Sequence, residues 1–357
     1  TGKHQGDICG YNYQSTIDSC YSSQFVLSNI GSYAGAICGY NYCSTIDSCN
    51  VYALHASGKS DGYAGGVCGS NNSGKITNCN VLNSSFNMEG NYVGGISGVN
   101  CFSNNDYFVD PVIDQCNCVN VMINSSKENV GGLVGYQYAA AKTVTTKNCH
   151  VYGGTITSES NNVGGIIGFC NDKFSNIVMN CINENPVQGV TNVGGIVGYT
   201  QCNVTSMNID TCVNFAPITG TGNNVGGILG YAYYYTNVRY CYNIGMINGT
   251  SNVGGIAGLL TYTAGNKPSI QNCFNEALVT GSANYVGGLV GRLFGGYIQN
   301  SYNAGIVSGK NYVGGLIGSS SATTKSYNNY NIAWIDGSAY VGAICGNGGT
   351  SYLEKCY

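Results

Sequence analysis

A short glycine-rich segment recurs about every 30 residues along the chain, and this spacing restricts the folds that the chain can adopt. Its best copies read Asn-Val-Gly-Gly-[Ile/Leu]-x-Gly or Asn-Tyr-Val-Gly-Gly-[Ile/Leu]-x-Gly, and we take the first glycine as the anchor. No Pro-rich linker or change of composition interrupts the series, so we predict one repeat domain over residues 1–357. The anchors lie at positions 6, 35, 65, 94, 131, 164, 194, 226, 254, 287, 314 and 342.

Two further signatures follow each anchor: an Ile-x-x-Cys motif, and then a third segment such as IGMING or EALVTG. All three are short, β-branched and bounded by Gly, Asn or Ser, which is typical of strands separated by turns. Helical periodicity is absent. We therefore predict an all-β fold, a β-solenoid of about twelve rungs (complete coils) with roughly three short strands per rung. The rival fold, a β-propeller, needs blades of about 40 to 50 residues.

Stacked rungs place equivalent residues next to each other, so recurring asparagines are expected to form ladders of amide hydrogen bonds. The first predicted ladder uses the Asn before each anchor motif: Asn91, Asn129, Asn162, Asn192, Asn224, Asn252, Asn284 and Asn311. The second predicted ladder runs through Asn214, Asn243, Asn275, Asn303 and Asn331.

Charge is scarce, and this excludes several classes of partner. Lys and Arg number 13 and Asp and Glu 16, for a net charge of −3, so no basic surface is available for nucleic acid. No apolar run is long enough to span a bilayer. A hydrophobic content of 43% with few charges is the opposite of a disordered composition. We expect no nucleic-acid partner, no membrane insertion and no cofactor.

The anchor motif, in copies such as NYVGGLVG, resembles the GLUG repeat, which is named for its Gly-Leu-x-Gly core. The resemblance covers nearly the whole chain and is strongest over residues 91–318. It implies a β-solenoid from a large secreted or surface-attached microbial protein, a group that includes adhesins and non-catalytic regions of extracellular peptidases. It brings no catalytic residues with it.

Cysteines recur in register with the repeat. In four rungs a Cys precedes the last Gly of the anchor motif and a second Cys follows eleven residues later. We predict within-rung disulfides, with a column of buried free thiols as the alternative. Disulfides would indicate an oxidising, extracellular setting, and zinc is disfavoured because no C-x-x-C pair is present. The predicted pairs are Cys9–Cys20, Cys38–Cys49, Cys68–Cys79 and Cys345–Cys356.

Five Asn-x-Ser/Thr sequons are candidate glycosylation sites, although chance matches are expected in so Asn-rich a chain. They lie at Asn71, Asn83, Asn124, Asn203 and Asn248.

Residues for catalysis are few, and we predict that the chain is not an enzyme. The three histidines have no motif context. One column of acids beside the Ile-x-x-Cys motif is interrupted by Thr77, Arg239 and Gln271, so we interpret it as a solvated face. Its acidic members are Asp18, Asp47, Asp114 and Asp210.

Tyrosine is the unusual surface residue. Many tyrosines lie just past the anchor and share one corner of the predicted solenoid. Such a corner can stack on sugars or pack against another chain, or it can simply stabilise the turns. The candidate contact residues are Tyr11, Tyr13, Tyr40, Tyr42, Tyr136, Tyr138, Tyr199, Tyr231, Tyr233 and Tyr235.

Neither end of the chain carries a polar capping repeat, and the chain begins with TGKHQG rather than with Met. We expect either a piece of a longer solenoid or a subunit whose ends stack head to tail. The predicted function is that of an extracellular structural protein of a fibre, sheath or cell-surface coat, with other copies of itself as partners. The alternative is a surface adhesin that binds glycans or a host protein through the Tyr corner. A carbohydrate-active enzyme is a weak third hypothesis.

Overall fold

The structure is a computed structural model that describes residues 2–60, 62–102, 110–262, 267–321, 323–349 and 351–357. In these residues all regular structure is strand, and every strand pairing is parallel and joins one rung to the next. The predicted all-β solenoid is confirmed. The described residues contain twelve copies of the anchor strand, which enclose eleven complete rungs. They contain no helix long and apolar enough to cross a membrane.

The anchor glycines stack in register. Gly65 pairs with Gly94, Gly94 pairs with Gly131, and the same pairing continues to Gly342. We number the rungs 1 to 12 by their anchors and the strand segments of each rung as rows 1 to 5 in chain order. Row 1 contains the anchors. Its strands are His4–Gln5, Tyr33–Ala34, Tyr63–Gly65, Val93–Gly94, Val130–Gly131, Val163–Gly164, Val193–Gly194, Asn223–Gly226, Ser251–Gly254, Asn284–Gly287, Asn311–Gly314 and Ala339–Gly342.

Rows 2 and 3 form the longest wall, and three long strands run across more than one row. The row 2 strands are Cys9–Tyr13, Cys38–Tyr42, Cys68–Asn72, Ser97–Phe102, Val134–Ala139, Ile167–Asp172, Ala257–Thr261, Val290–Phe294, Ile317–Ser320 and Cys345–Asn347. The row 3 strands are Thr16–Asp18, Thr45–Asp47, Lys75–Thr77, Val112–Asp114, Val144–Lys147, Asn176–Met179, Ser269–Gln271, Gly296–Gln299 and Tyr352–Cys356. The strands that span rows are Val197–Asp210 and Leu229–Arg239 (rows 2 and 3) and Thr324–Asn331 (rows 3 and 4).

Rows 4 and 5 close each rung. The row 4 strands are Tyr21–Ser23, Asn50–Tyr52, Asn80–Leu82, Asn117–Val119, His150–Tyr152, Ile182–Asn183, Val213–Asn214, Tyr242–Asn243, Phe274–Asn275 and Tyr302–Asn303. The row 5 strands are Val26–Ile30, His55–Ser60, Ser85–Gly90, Met122–Ser125, Thr155–Ser158, Val187–Gly189, Ile218–Gly220, Ile247–Gly249, Val279–Gly281, Val307–Ser308 and Ile335–Asp336.

Each complete rung therefore carries five short segments instead of the roughly three that were predicted, and the three sequence signatures mark rows 1, 3 and 5. Rows 2 and 4 are harder to read because each continues directly from a signature after a single bend. The bend between rows 3 and 4 is one residue in the left-handed conformation in every rung, with φ between 49° and 57°. Asparagine, which tolerates this conformation well, occupies the bend in rungs 3, 5, 6, 9, 10 and 11.

The core consists of apolar columns that run along the axis. The Val before the anchor glycine and the Ile of the Ile-x-x-Cys motif are fully buried in successive rungs, as at Val253 and Ile270. Close packing accounts for the second glycine in the copies that carry it. A Cβ added to Gly227 would lie 2.1 Å from the carbonyl oxygen of Gly255 and 2.3 Å from the Asn243 side chain. The paired glycines thus let the row 1 wall lie directly against an internal column of asparagines.

That internal column is the second predicted ladder, and it is confirmed. Asn243 donates to the side-chain oxygen of Asn275 at 2.7 Å and accepts from Asn214 at 2.8 Å. The ladder extends one rung further than predicted, to Asn183, and continues to Asn331. Its second amide hydrogens bond backbone carbonyls, such as that of Gly245 at 3.0 Å. Each buried amide is therefore satisfied within the column.

The first predicted ladder is only partly correct. Five of its asparagines are bonded in series, from Asn129 to Asn252. Asn284 and Asn311 form a separate pair at 2.9 Å. Copies that read Asn-Tyr-Val carry one extra residue, so their Tyr, as at Tyr92, takes the left-handed position held by Asn in the other copies. Asn91 therefore lies one position out of register with Asn129.

We predict that Asn243→Ala destabilises the fold by about 3 kcal/mol, because it leaves the Asn214 donor and the Gly245 carbonyl without their buried partner. The exposed Asn248 provides the matched control, and Asn248→Ala should change stability by less than about 0.5 kcal/mol. Denaturant unfolding of both variants checks this. Equal midpoints for the two variants would contradict a stabilising role of the ladder.

Candidate functional site

The predicted tyrosines of row 2 lie in two outward columns. Tyr11 pairs with Tyr40 and Tyr199 with Tyr231 in one column, and Tyr13 pairs with Tyr42 in the other. The first column also holds Tyr136, and the second holds Tyr138 and Tyr233. Tyr235 differs from the rest because it packs against the hydrophobic core.

Most of these rings stack on one another along the solenoid axis. Tyr11 and Tyr40 have centroids 5.5 Å apart with ring planes 7° apart, and Tyr199 lies 5.0 Å from Tyr231 with an angle of 14°. Phe169, which sequence reasoning missed, lies between Tyr136 and Tyr199 at 5.2 and 4.9 Å. Ring faces along this column are thus covered by neighbouring rings. The edges and hydroxyl groups are left to face outward.

Row 1 tyrosines bridge the gap in this column at rungs 3 and 4, where row 2 carries Ser70 and Val99. Tyr63 lies 5.0 Å from Tyr92, and Tyr92 lies 5.3 Å from Tyr136. Together with Tyr33 and His4 at the first two rungs, the rings form one continuous aromatic ladder from rung 1 to rung 8. The signal in the sequence was the Tyr that stands two residues before the anchor glycine in rungs 2, 3 and 4.

A second aromatic ladder on row 4 was also missed. It comprises Tyr242, Phe274, Tyr302 and Tyr330, and the last two centroids lie 5.0 Å apart. The carboxylate of Glu276 accepts hydrogen bonds from the hydroxyls of Tyr242 and Tyr302, each at 3.1 Å. Burial and this carboxylate raise the pKa of Tyr302 to about 12.

The four predicted within-rung disulfides are absent from the structure, in which all 19 cysteines are free thiols. Each predicted pair combines a row 2 cysteine with one beyond row 3, and the contacts are made between rungs instead. Cys38 pairs in register with both Cys9 and Cys68. The backbone N–H of Cys20 donates to the sulfur of Cys49, and that of Cys49 donates to Cys79, each at 3.4 Å.

The second cysteine column is continuous through the first nine rungs. Thirteen of the 19 cysteines are buried, and burial raises the pKa of thiols such as Cys241 and Cys273 well above the ordinary value. Such thiols pack as small apolar side chains and are poor nucleophiles. The column consists of Cys20, Cys49, Cys79, Cys116, Cys149, Cys181, Cys212, Cys241 and Cys273, followed by Ser301 and Asn329, and Cys356 is paired with Asn329.

The sequons differ in accessibility. The side chain of Asn71 is fully buried, where it bonds Asn41 and Asn100, so a glycan cannot be attached to it in the folded chain. Asn83, Asn124 and Asn248 are exposed. The side chain of Asn203 lies outside the described residues.

The acidic column pairs in register as predicted, from Asp18 to Asp47 and onward. Neighbouring rungs place polar and cationic groups against it. Lys147 contacts Asp114 at 3.1 Å, and Arg239 binds Asp210 through two hydrogen bonds of 2.7 and 2.8 Å. Across the part of the chain that the structure describes, no group of three or more His, Cys, Asp or Glu side chains is placed to hold a metal ion.

Comparisons with known proteins identify no family. No family model matches the sequence, and no curated protein matches it. One crystal structure, described as "a putative immunoglobulin A1 protease from Bacteroides ovatus", is similar over 67% of this chain and 74% of its own, with 18% identity and a TM-score of 0.40. At this level the likeness carries no argument about activity or substrate.

We predict that the denatured, unreduced protein takes up 19 carbamidomethyl groups from iodoacetamide. Native protein should be labelled at Cys9, Cys20, Cys345 and Cys356 much faster than at the buried thiols, because these four are partly exposed in the end rungs. Mass spectrometry of intact protein and of peptides checks both. Recovery of a disulfide-linked Cys9–Cys20 peptide would contradict the free thiols and support the within-rung disulfides.

Alkaline pH should destabilise the fold by ionising tyrosines of the aromatic ladders. Burial is the main cause that raises the pKa of Tyr63 and of Tyr302 to about 12. Their contribution to stability is complete below the unfolded pKa of about 10 and is lost as the pH rises through about 12. Tyrosinate absorbance at 295 nm, recorded with circular dichroism, should show a late step that accompanies unfolding. Ionisation of all 30 tyrosines near pH 10 in folded protein would contradict this.

Proposed function

We propose that this chain is a non-enzymatic structural protein of the cell exterior, a subunit of a fibre, sheath or surface coat that assembles from copies of itself. The ladders support this role because they link every rung to the next. Backbone hydrogen bonds, amide ladders and stacked rings all run along the same axis. Eleven rungs at the usual spacing give a stiff rod about 55 Å long.

The observation that carries the proposal is the in-register stacking of like residues in successive rungs. Asn243 bonds Asn214 and Asn275 of the neighbouring rungs at 2.8 and 2.7 Å, and Tyr199 stacks on Tyr231 with centroids 5.0 Å apart. A solenoid with the same repeat has the same columns at the same spacing, which supports assembly from copies of one chain.

The described histidines support a non-enzymatic role. His4 packs among Tyr11, Tyr33 and Tyr40, and His55 bonds Ser85. His150 pairs with Glu184 on the open surface at 3.0 Å.

The extracellular location is supported by the three exposed sequons and by the resemblance to the GLUG repeat. It draws no support from disulfides, since the structure contains none.

The alternative function is an adhesin that uses the Tyr corner. It would have to use ring edges and hydroxyl groups, because stacking covers the ring faces that sugars normally contact. The geometry therefore favours the structural role. The two functions predict different results: the structural role predicts filaments, and the adhesin predicts isolated rods that bind glycans.

The test is electron microscopy of the 357-residue chain across a concentration series. We expect filaments that lengthen with concentration. Val341 and Leu353 of rung 12 are 47% and 41% exposed, and we expect Val341→Lys with Leu353→Lys to abolish the filaments by placing two like charges on the strands of this rung. Phe174→Lys, on the lateral surface, is the matched control and should assemble normally. Isolated rods at every concentration, combined with saturable binding on a glycan array, would replace the structural role with the adhesin.

A further inference from the structure

An apolar face covers one side of rungs 6 to 11. It begins at the second aromatic ladder on row 4 and continues around the corner to the start of row 5. Three outward columns form it: the row 4 column from Ile182 to Tyr330, a middle column from Glu184 to Ile332, and an outermost column from Pro186 to Trp334. Each column has one residue in each of the six rungs. Among these eighteen residues only Glu184 and Glu276 carry charge. In rungs 1 to 5 the corresponding positions include polar residues, such as Asn50, Asn80 and Asn117. This face is therefore a local feature of the chain and is not a general property of the solenoid.

The outermost column, which we call the corner stripe, lies immediately before the row 5 strands. Its register is fixed by backbone hydrogen bonds such as Ile247 to Leu278 and Val307 to Trp334. The side chains are open to solvent, with Met246 58%, Ile306 50% and Trp334 75% exposed. The stripe consists of Pro186, Pro217, Met246, Leu278, Ile306 and Trp334.

The middle column adds to the same surface. Phe215 is 43% and Ile332 72% exposed, and Ile244 lies between them. Of the two carboxylates, Glu184 is paired with His150, and Glu276 accepts from two tyrosine hydroxyls. Both acids already have partners at the surface, so the face offers apolar contact almost without competing charge. Contiguous apolar surfaces of this kind mark interaction sites.

We infer that this face binds the same face of a second copy of the chain, related by a two-fold axis, so that two rods lie side by side and antiparallel. The inference deepens the proposed function, on which it rests, by naming the partner of one lateral surface. Three observations select a second copy as the occupant.

The first observation is the taper of the stripe. Its side chains grow from Pro at rung 6 to Trp at rung 11. An antiparallel copy places Trp334 against Pro186, Ile306 against Pro217, and Leu278 against Met246. The two outer pairs join a large side chain to a proline, and the central pair joins two side chains of similar size. A parallel copy would place Trp against Trp at one end and leave a gap between prolines at the other.

The second observation is the spacing of the rungs. Both faces repeat at about 4.8 Å, so every rung of one copy lies opposite a rung of the other along the whole contact. A recess of about 230 Å³ lies at the row 5 edge of the stripe, between Pro217, Met246 and Leu278 of the stripe and Thr219, Asn248 and Thr280 of row 5. In the antiparallel arrangement the two-fold axis passes between rungs 8 and 9.

The third observation is charge. Membrane surfaces are usually bound by aromatic residues flanked by Lys and Arg, and the three columns contain neither. The face measures about 25 by 15 Å, on the order of 400 Å² per partner, about half of a standard interface. The side-by-side pair is therefore weak for two free rods. In a filament it is repeated in every subunit and gains strength from multivalency.

Sedimentation velocity of the 357-residue chain, over concentrations below those at which electron microscopy shows filaments, tests the inference. We expect a reversible dimer whose dissociation constant rises at least tenfold in the double variant Met246→Glu with Leu278→Glu. Met122, 52% exposed on row 5 of rung 4, supplies the control, and Met122→Glu should dimerise as the parent chain does. Circular dichroism verifies that all variants are folded. A parent chain that stays monomeric, or equal effects of the two changes, would overturn the inference.

A photo-crosslinking residue at position 334 determines the orientation without relying on the double variant. The antiparallel pair predicts crosslinks to the peptide that contains Pro186. Crosslinks to the peptide around position 334 itself would indicate a parallel pair and overturn the two-fold arrangement. Flotation with phosphatidylcholine vesicles tests whether the face binds lipid instead. If monomers bind the vesicles and Met246→Glu abolishes that binding, the face is a lipid-binding surface and the inference is overturned.

Electron microscopy separates this inference from the proposed function. Single-rod filaments formed by the double variant would show that end-to-end assembly continues after the lateral contact is lost. If the parent chain dimerises but never forms filaments, the lateral pairing stands and the proposed role as a fibre subunit is refuted.

Discussion

In-register parallel stacking is the constraint on which this structure depends. Each residue has its own counterpart from the next rung about 4.8 Å away, so the chain must consist of side chains that pack well against copies of themselves. Asparagine meets this requirement because its amide both donates and accepts. Aromatic rings meet it by stacking, and thiols and branched aliphatic groups meet it by packing. Charged residues do not, since a column of like charges repels itself. The charged content of 8% follows from this constraint.

The same constraint divides the surface into regions with different capacities for binding. Where rings stack along the axis from rung 1 to rung 8, their faces are already used within the molecule. On the corner stripe of rungs 6 to 11, Met246, Ile306 and Trp334 remain at least half exposed. Internal stiffness and external contact are thus provided by different columns. The lateral partner is expected at the stripe, away from the densest row of tyrosines.

The rung spacing, the columns of rows 1, 3 and 5 and the internal Asn214–Asn331 ladder can all be read from the sequence, because a repeat fixes which residues share a column. Offsets within the repeat are harder to read. The extra Tyr in copies such as Asn91–Tyr92–Val93 moves the Asn out of its column, and only the position of the left-handed residue reveals it. The cysteine pairing was wrong for a related reason. Spacing along the chain suggested contacts within a rung, whereas stacking gives each cysteine a nearer neighbour in the next rung.

The stripe escaped sequence analysis because its residue types vary from rung to rung, from Pro to Trp, so no motif marks it. It becomes visible only when the register shows that these positions share one outward column. Aromatic bridges such as Tyr63 and Tyr92 were missed because they belong to row 1, whereas the other tyrosines of the ladder belong to row 2. Predicting contacts between different rows requires the cross-section of a rung, and the spacing of the sequence repeat does not give it.

Hydrogen exchange of the asparagine side-chain amides, followed by NMR in D2O, tests in-register stacking most directly. The account predicts that the amide protons of Asn214, Asn243 and Asn275 persist long after those of the exposed Asn248 have exchanged, because each ladder amide is buried and bonded on both sides. Exchange of all these amides at the rate of Asn248 would show that the column does not exist in solution and would contradict the fold as described.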